Sequence, residues 1–189
     1  MSHQNLKFNS LLAGVTVIPV MVINTLAEAV PMARDLVARG YRVLEITLRT
    51  DCALRAVKDI IAAVPDAVVG VGTVTDGEQL REAHDAGAVF AVSPGSTDSL
   101  IRAAEEVPIP LLPGVATASE AMKLREAGYR YLKLFPAEAA GGRALLKSLN
   151  GPLPDLKFCP TGGITEETAP DYLKLPNVIC VGGSWMQSK

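Results

Sequence analysis

Short apolar runs alternate along the chain with longer segments whose apolar residues recur at three- and four-residue spacing. The runs are VTVIPVMVI, RVLEITL, AVVGVGT, VFAVS, IPLLPG, YLKLFP, LKFCPTG and VICVGG. Being short and rich in β-branched residues, they predict eight buried strands. Between them, LAEAVPMARDLVARG, CALRAVKDIIAAV, GEQLREAHDAG, DSLIRAAEEV, ASEAMKLREAG, GGRALLKSLNG and TEETAPDYLKL carry helical periodicity, and several end at glycine. Such βα repetition, one unit every twenty-odd residues, predicts a parallel sheet. Eight regular units favour an α/β fold of the (β/α)8 TIM-barrel type, a single domain over residues 1–189, above an open doubly wound sheet. After VICVGGSW only Met186 to Lys189 remain. The eighth outer helix is therefore expected to be missing and the domain to be C-terminally short. The outward faces of the last and first strands, including Ile179 and Val181, would then lack their usual cover. A partner or the leading stretch NLKFNSLLAG would have to supply it, although a helix before the first strand more naturally closes the barrel bottom.

Side chains of a strand alternate between its faces. In RVLEITLR, Leu44, Ile46 and Leu48 share the face suited to packing under helices, while Val43, Glu45, Thr47 and Arg49 face the interior. The same alternation puts Tyr131, Lys133 and Phe135 inward, Thr73 inward with Val71, and Thr161 inward with Cys159. Glu45, Arg49, Thr73, Lys133 and Thr161 all lie toward the C-terminal halves of their strands, where barrel enzymes carry out chemistry.

Lys133 changes the picture most. An unpaired ammonium group costs several kcal/mol to bury. The structural alternatives are a snorkelling stem or an ion network with Glu45 and Arg49. A free lysine, with pKa near 10.4, is neutral in about one molecule in 2,500 at pH 7. Desolvation and a neighbouring cation such as Arg49 would raise that fraction. A neutral amine attacks a ketone to form an iminium ion, an electron sink, and Glu45 would supply the general acid and base. The glycine pairs in CPTGGI and VGGSW stand at the two strand–loop junctions where barrels bind phosphate, with Ser184 adding a hydroxyl.

Composition narrows the partners. Hydrophobic residues make up 49% and charged residues 20% of the chain, with a net charge of −2. There is no basic footprint for nucleic acid and no apolar stretch long enough to span a membrane. The N-terminus has no signal-peptide pattern. Cys52, Cys159 and Cys180 are widely spaced without a CxxC pair, as reduced structural thiols of a cytoplasmic protein would be. His3 is placed in a tail and His84 on a solvated helix surface. With no HxH or HExxH motif, no histidine-bound metal site is expected.

EITLRT, GVGTV, VSPG, PLLPGVAT, KLFPAE, KFCPTGGI and GGSW, in this order from about Pro19 to Trp185, resemble the 2-keto-3-deoxy-6-phosphogluconate (KDPG) and 4-hydroxy-2-oxoglutarate (KHG) aldolases, class I aldolases of the Entner–Doudoroff type. The resemblance implies that Lys133 forms the Schiff base and that Glu45 is the acid–base residue, working through a water. Arg49 and Thr73 would bind the pyruvate carboxylate, Thr161 would be a wall affecting stereochemistry, and Pro94 and Phe135 would shape the pocket. Gly162, Gly163, Gly182, Gly183 and Ser184 would cradle phosphate. It further implies a cytoplasmic homotrimer acting on a 2-keto acid phosphate and pyruvate, with neither cofactor nor metal. A related pyruvate aldolase with another 2-keto acid substrate and a non-catalytic scaffold barrel stand as alternatives.

Overall fold

The computed structural model describes residues 3–187. A helix, α1 (His3–Leu11), precedes β1 (Val17–Met21), α2 (Leu26–Ala38), β2 (Val43–Thr47), α3 (Ala53–Ala63), β3 (Val68–Gly72), α4 (Gly77–Asp85), β4 (Phe90–Val92) and α5 (Asp98–Glu106). There follow β5 (Leu111–Leu112), β6 (Gly114–Val115), α6 (Ala118–Glu126), β7 (Tyr131–Leu134), α7 (Gly142–Asn150), β8 (Lys157–Pro160), α8 (Ala169–Leu173), β9 (Val181–Gly183) and a 3-10 turn at Trp185–Gln187. His3 thus opens α1 and does not lie in a tail. Helices α2, α4, α5 and α6 start where side chains can cap orphan N–H groups. Asp76 accepts from the Gln79 N–H at 2.9 Å, and Thr25 with Glu28 and Thr117 with Glu120 form capping boxes.

The strands are parallel and form a curled sheet in two hydrogen-bonded sections, β5-β4-β3-β2-β1-β9 and β6-β7-β8. Bridges Phe158↔Val178 and Thr161↔Gly182 join the sections at one side. At the other side the single run IPLLPG divides at Pro113, which has no N–H to give. Leu111 and Leu112 pair with β4, and Gly114 and Val115 pair with β7.

Leu44 and Ile46 are fully buried under α2 and α3, and Leu132 and Leu134 join Phe158 beneath the helices of the other section. Val43, Phe90, Val92, Leu112, Cys159 and Cys180 fill the interior instead, and Phe8 and Leu12, from α1 and the turn after it, close one end of it. Alternation along β2, β7 and β8 is therefore as the sequence predicts. Along β3 it is not. Val71 belongs with Val69 to the outer cluster, and past Val68, which packs against the interior, the inward positions are Gly70 and Gly72, which carry no side chain to announce the face.

The expected bare faces also differ. Val181 is fully buried in the cluster around Leu146 and Tyr172, with Val17 and Trp185 packed against it. Ile179 is half-buried and turned toward the interior cluster. Met186 is buried against the outer cluster, its carbonyl accepts from Arg39 Nη1 at 3.1 Å, and the Gln187 side chain accepts from the Val22 N–H at 3.3 Å. The turn after β9 thus supplies part of the cover.

Candidate active site

Glu45 and Lys133 sit on opposite sections of the sheet, yet Lys133 Nζ donates to Glu45 Oε1 at 3.1 Å with the two side chains only 4–5% exposed. Register explains the meeting. Glu45 pairs with Gly70 and Val20, and Lys133 pairs with Gly114 and Cys159. Glycine lies beside each of the two, although the space over Gly70 is taken by the Phe90 ring and that over Gly114 by the Pro94 carbonyl. A Cβ on Gly72 would overlap the Glu45 carboxylate. The Lys133 ammonium also lies 5.4 Å from the centroid of the Phe135 ring, within the range of a cation–π contact. The charged partner of Lys133 is Glu45, not Arg49.

Through Phe135 this pair adjoins a cavity of about 180 Å³ lined by Val20, Val22, Arg49, Phe135, Thr161, Gly162, Gly163, Ile164, Gly182, Gly183 and Ser184. Eight of the residues singled out in the sequence thus meet in one cavity. Arg49 stands just past the end of β2, where its Nε donates to Thr73 Oγ1 at 3.1 Å. Among the described residues it forms no ion pair, which leaves the guanidinium fork free for an anion.

Thr73 reaches Arg49 by a route that alternation does not describe. It lies one residue beyond β3 with φ 62°, a conformation that β-branched residues rarely adopt. That twist, not shared parity with Val71, brings its hydroxyl to the guanidinium.

Two loops at the cavity wall are zipped together. Thr161 N–H donates to Leu134 O at 2.9 Å, Ala137 N–H to Thr161 O at 2.8 Å, and Glu138 N–H to Gly162 O at 3.1 Å. Gly162 and Gly163 have φ of 103° and 79°, open to glycine and strained for other residues. A Cβ on Gly182 would collide with the Thr161 hydroxyl, and one on Gly183 with the Trp185 ring. These glycines thus allow the Thr161 hydroxyl and the Trp185 ring to close over the backbone. The exposed Ser184 follows directly.

Pro94 is half-buried and does not line this cavity. Its carbonyl occupies the space over Gly114, whose N–H donates to Ser93 Oγ at 3.3 Å. Val20, Val22 and Ile164, which form the apolar wall, were not singled out in the sequence. The first two could have been found by applying to β1 the alternation used on β2.

Neither His84 nor the cysteines line this cavity. His84 Nδ1 is 3.3 Å from Asp85 Oδ1 on a partly exposed helix surface. Cys159 and Cys180 lie inside the sheet, and the hydrogen bond with Cys159 together with complete burial raises the Cys180 thiol above its ordinary range. Among the described residues no group of three or more His, Cys, Asp or Glu side chains is placed to hold a metal ion, and no helix is long and apolar enough to cross a membrane.

A profile of the family described as "Aldolase: KDPG and KHG aldolase" matches residues 8–189. The 2-dehydro-3-deoxy-phosphogluconate aldolase of Dickeya dadantii is 52% identical over 186 residues, 98% of this chain and 87% of that protein. Among solved structures, the KDPG aldolase of Legionella pneumophila, with pyruvate captured as a covalent carbinolamine intermediate, superposes with a TM-score of 0.91. It is 47% identical, and the match covers 97% of this chain and 87% of that one. The Zymomonas mobilis enzyme with 3-phosphoglycerate gives a TM-score of 0.91 at 48% identity, over 94% of this chain and 85% of that one.

Proposed function

The chain belongs to the KDPG and KHG aldolase family, and on that premise we propose that it is a class I aldolase. It cleaves KDPG to pyruvate and glyceraldehyde 3-phosphate without a metal, and KHG to pyruvate and glyoxylate. The observation that carries the reading is the buried Lys133–Glu45 pair at 3.1 Å, next to a cavity lined by a free guanidinium and a glycine-bearing loop pair.

Lys133 attacks the C2 ketone, and loss of water gives an iminium ion. Glu45 takes the C4 hydroxyl proton through a water as the C3–C4 bond breaks, and the electron pair moves onto the iminium to give an enamine. Glyceraldehyde 3-phosphate leaves, the enamine is protonated at C3, and hydrolysis releases pyruvate and the free lysine. The direct contact in the substrate-free chain puts donor and acceptor within the reach that proton transfer needs. Arg49, steadied by Thr73, holds the substrate carboxylate and turns the ketone toward Lys133, a positioning effect. Thr161 and Phe135 wall the reacting carbons. Pro94 sets that wall from behind. Gly162, Gly163, Gly182, Gly183 and Ser184 take the phosphate through backbone N–H groups and a hydroxyl.

The continuity of pairing through the two halves of the fifth strand and the bridges to β9 support a closed (β/α)8 barrel of one domain. The family resemblance supports a cytoplasmic homotrimer. Borohydride reduction in the presence of pyruvate tests the chemistry. Intact mass and peptide mapping should find a reduced pyruvyl adduct on Lys133, absent in Lys133→Ala. A folded chain that never acquires the adduct would rule out the iminium route.

A further inference from the structure

Glu138 lies outside the cavity wall but grips the loop that forms it. Its N–H donates to Gly162 O at 3.1 Å. Its Cβ and Cγ lie so close to Gly163 that a side chain on Gly163 would come within 2.8 Å of both. The carboxylate is fixed from the other direction. The hydroxyl of Tyr172, a fully buried ring on α8, donates to Glu138 Oε1. The N-terminus of α7 closes over this pair, since a Cβ on Gly142 would meet the Tyr172 hydroxyl at 2.7 Å and Glu138 Oε2 at 3.4 Å. Arg143 on α7 pairs with Asp171 on α8 alongside it at 2.6 Å.

We propose that the Glu138–Tyr172 hydrogen bond is a positioning device for the Gly162–Gly163 loop, and so sets the affinity of this site for the phosphate end of its substrate. The inference rests on the aldolase reading given above. Neither residue touches the reacting carbons. Both act through the loop, Glu138 as the brace and Tyr172 as its anchor in the core. Burial, with the neighbouring Glu138 carboxylate adding to it, holds the Tyr172 phenol well above its ordinary range. The hydroxyl therefore stays a donor across the working pH of any such enzyme. A loop freed of its brace still has its glycines, but their N–H groups no longer converge in advance, and convergence is then paid for on binding.

A role confined to the phosphate end separates from a general loss of structure. Steady-state kinetics on KDPG, which carries a phosphate, and on KHG, which does not, make the comparison. In Tyr172→Phe, the KM for KDPG should rise about tenfold, the loss expected for a hydrogen bond to a charged group. The KM for KHG, both kcat values and borohydride trapping with pyruvate should stay close to wild type. Inorganic phosphate should inhibit the variant correspondingly less. Glu138→Gln keeps an acceptor for the phenol and the same carbon brace, and should restore most of the affinity that Glu138→Ala loses. Because Glu138 is exposed, its variants keep the test open should Tyr172→Phe fold poorly. KM values that move together for the two substrates, or not at all, overturn the inference while leaving the aldolase reading intact. A folded wild-type chain that releases no pyruvate from KDPG overturns that reading, and this inference with it.

Discussion

The Glu45 carboxylate occupies the space in which a side chain on Gly72 would begin. The two residues are on adjacent strands, with Gly72 opposite Thr47 in the register, so the absence of a Cβ in β3 is what lets a carboxylate from β2 reach Lys133 on β7. Gly72→Ala should leave the fold standing, since a side chain can swing aside, but should turn Glu45 from the lysine. A loss of about 100-fold in kcat/KM is expected, the lower end of what general acid–base catalysis contributes. Steady-state assays beside Glu45→Gln check it, and a Gly72→Ala enzyme of wild-type activity would count against the acid–base role of Glu45.

Removing one member of the buried pair strands the other. Lys133→Met should destabilise the chain by about 3 kcal/mol, and Lys133→Met with Glu45→Leu should recover most of that while remaining inactive. Urea unfolding of the two variants reads the difference. Equal destabilisation would mean that packing, not the stranded charge, sets the cost.

Arg49→Lys keeps the positive charge and loses the planar fork together with its Nε contact to Thr73. The pyruvate concentration giving half-maximal borohydride trapping should rise about tenfold, with the adduct still on Lys133. A lysine that serves equally well would remove the carboxylate clamp from the mechanism.

Thr73 also marks where the sequence ceased to be legible. Alternation placed Glu45, Lys133 and Thr161 correctly because their strands carry side chains on both faces. The inward face of β3 is written as Gly70 and Gly72, whose space is filled by Phe90 and Glu45 from neighbouring strands. A face whose side chains come from elsewhere leaves no pattern in its own strand, and so alternation alone puts Val71 inward. It puts Thr73 inward as well, whereas Thr73 reaches Arg49 through a left-handed φ that nothing local in GVGTV announces. The fifth strand was legible as one run, but its division at Pro113 depends on which neighbour each half pairs with, a tertiary matter. The helix starts were legible for the opposite reason. Asp76, Thr97 and Thr117 act within three residues of themselves.

One such start gives a pH dependence. The Glu120 carboxylate is held below the usual glutamate range, chiefly by the Ala116 N–H at 2.7 Å, which outweighs the opposing effect of partial burial, and further by the Thr117 hydroxyl and N–H. A depressed folded-state pKa stabilises the fold above the unfolded value, near 4.3, and that stability is lost as pH falls through the folded value. Urea unfolding from pH 6 to pH 3 should therefore show wild type losing its advantage over Glu120→Gln below about pH 4.3. An advantage constant with pH would show that the charge does not matter.

The thiols should separate by burial. Cys180 is fully buried, Cys159 nearly so and Cys52 half-buried, and the thiolate is the species that reacts. Iodoacetamide at pH 8 should label Cys52 first in the native chain, and all three at similar rates only in denaturant. Peptide mass spectrometry reads the order, and early labelling of Cys180 would mean that the interior opens.

That interior is stoppered at one end. Phe8 and Leu12 pack against the layer of Phe90, Cys159 and Cys180, and the cavity next to Lys133 carries Arg49 and Ser184. Traffic past a covalent tether has an order. The fragment without a covalent tether departs first, and the one bound to the lysine follows once hydrolysis frees it. In the synthetic direction pyruvate is accordingly the obligatory first reactant to enter, and an aldehyde that arrives early becomes an obstruction. Excess aldehyde should therefore slow condensation, an inhibition that additional pyruvate relieves.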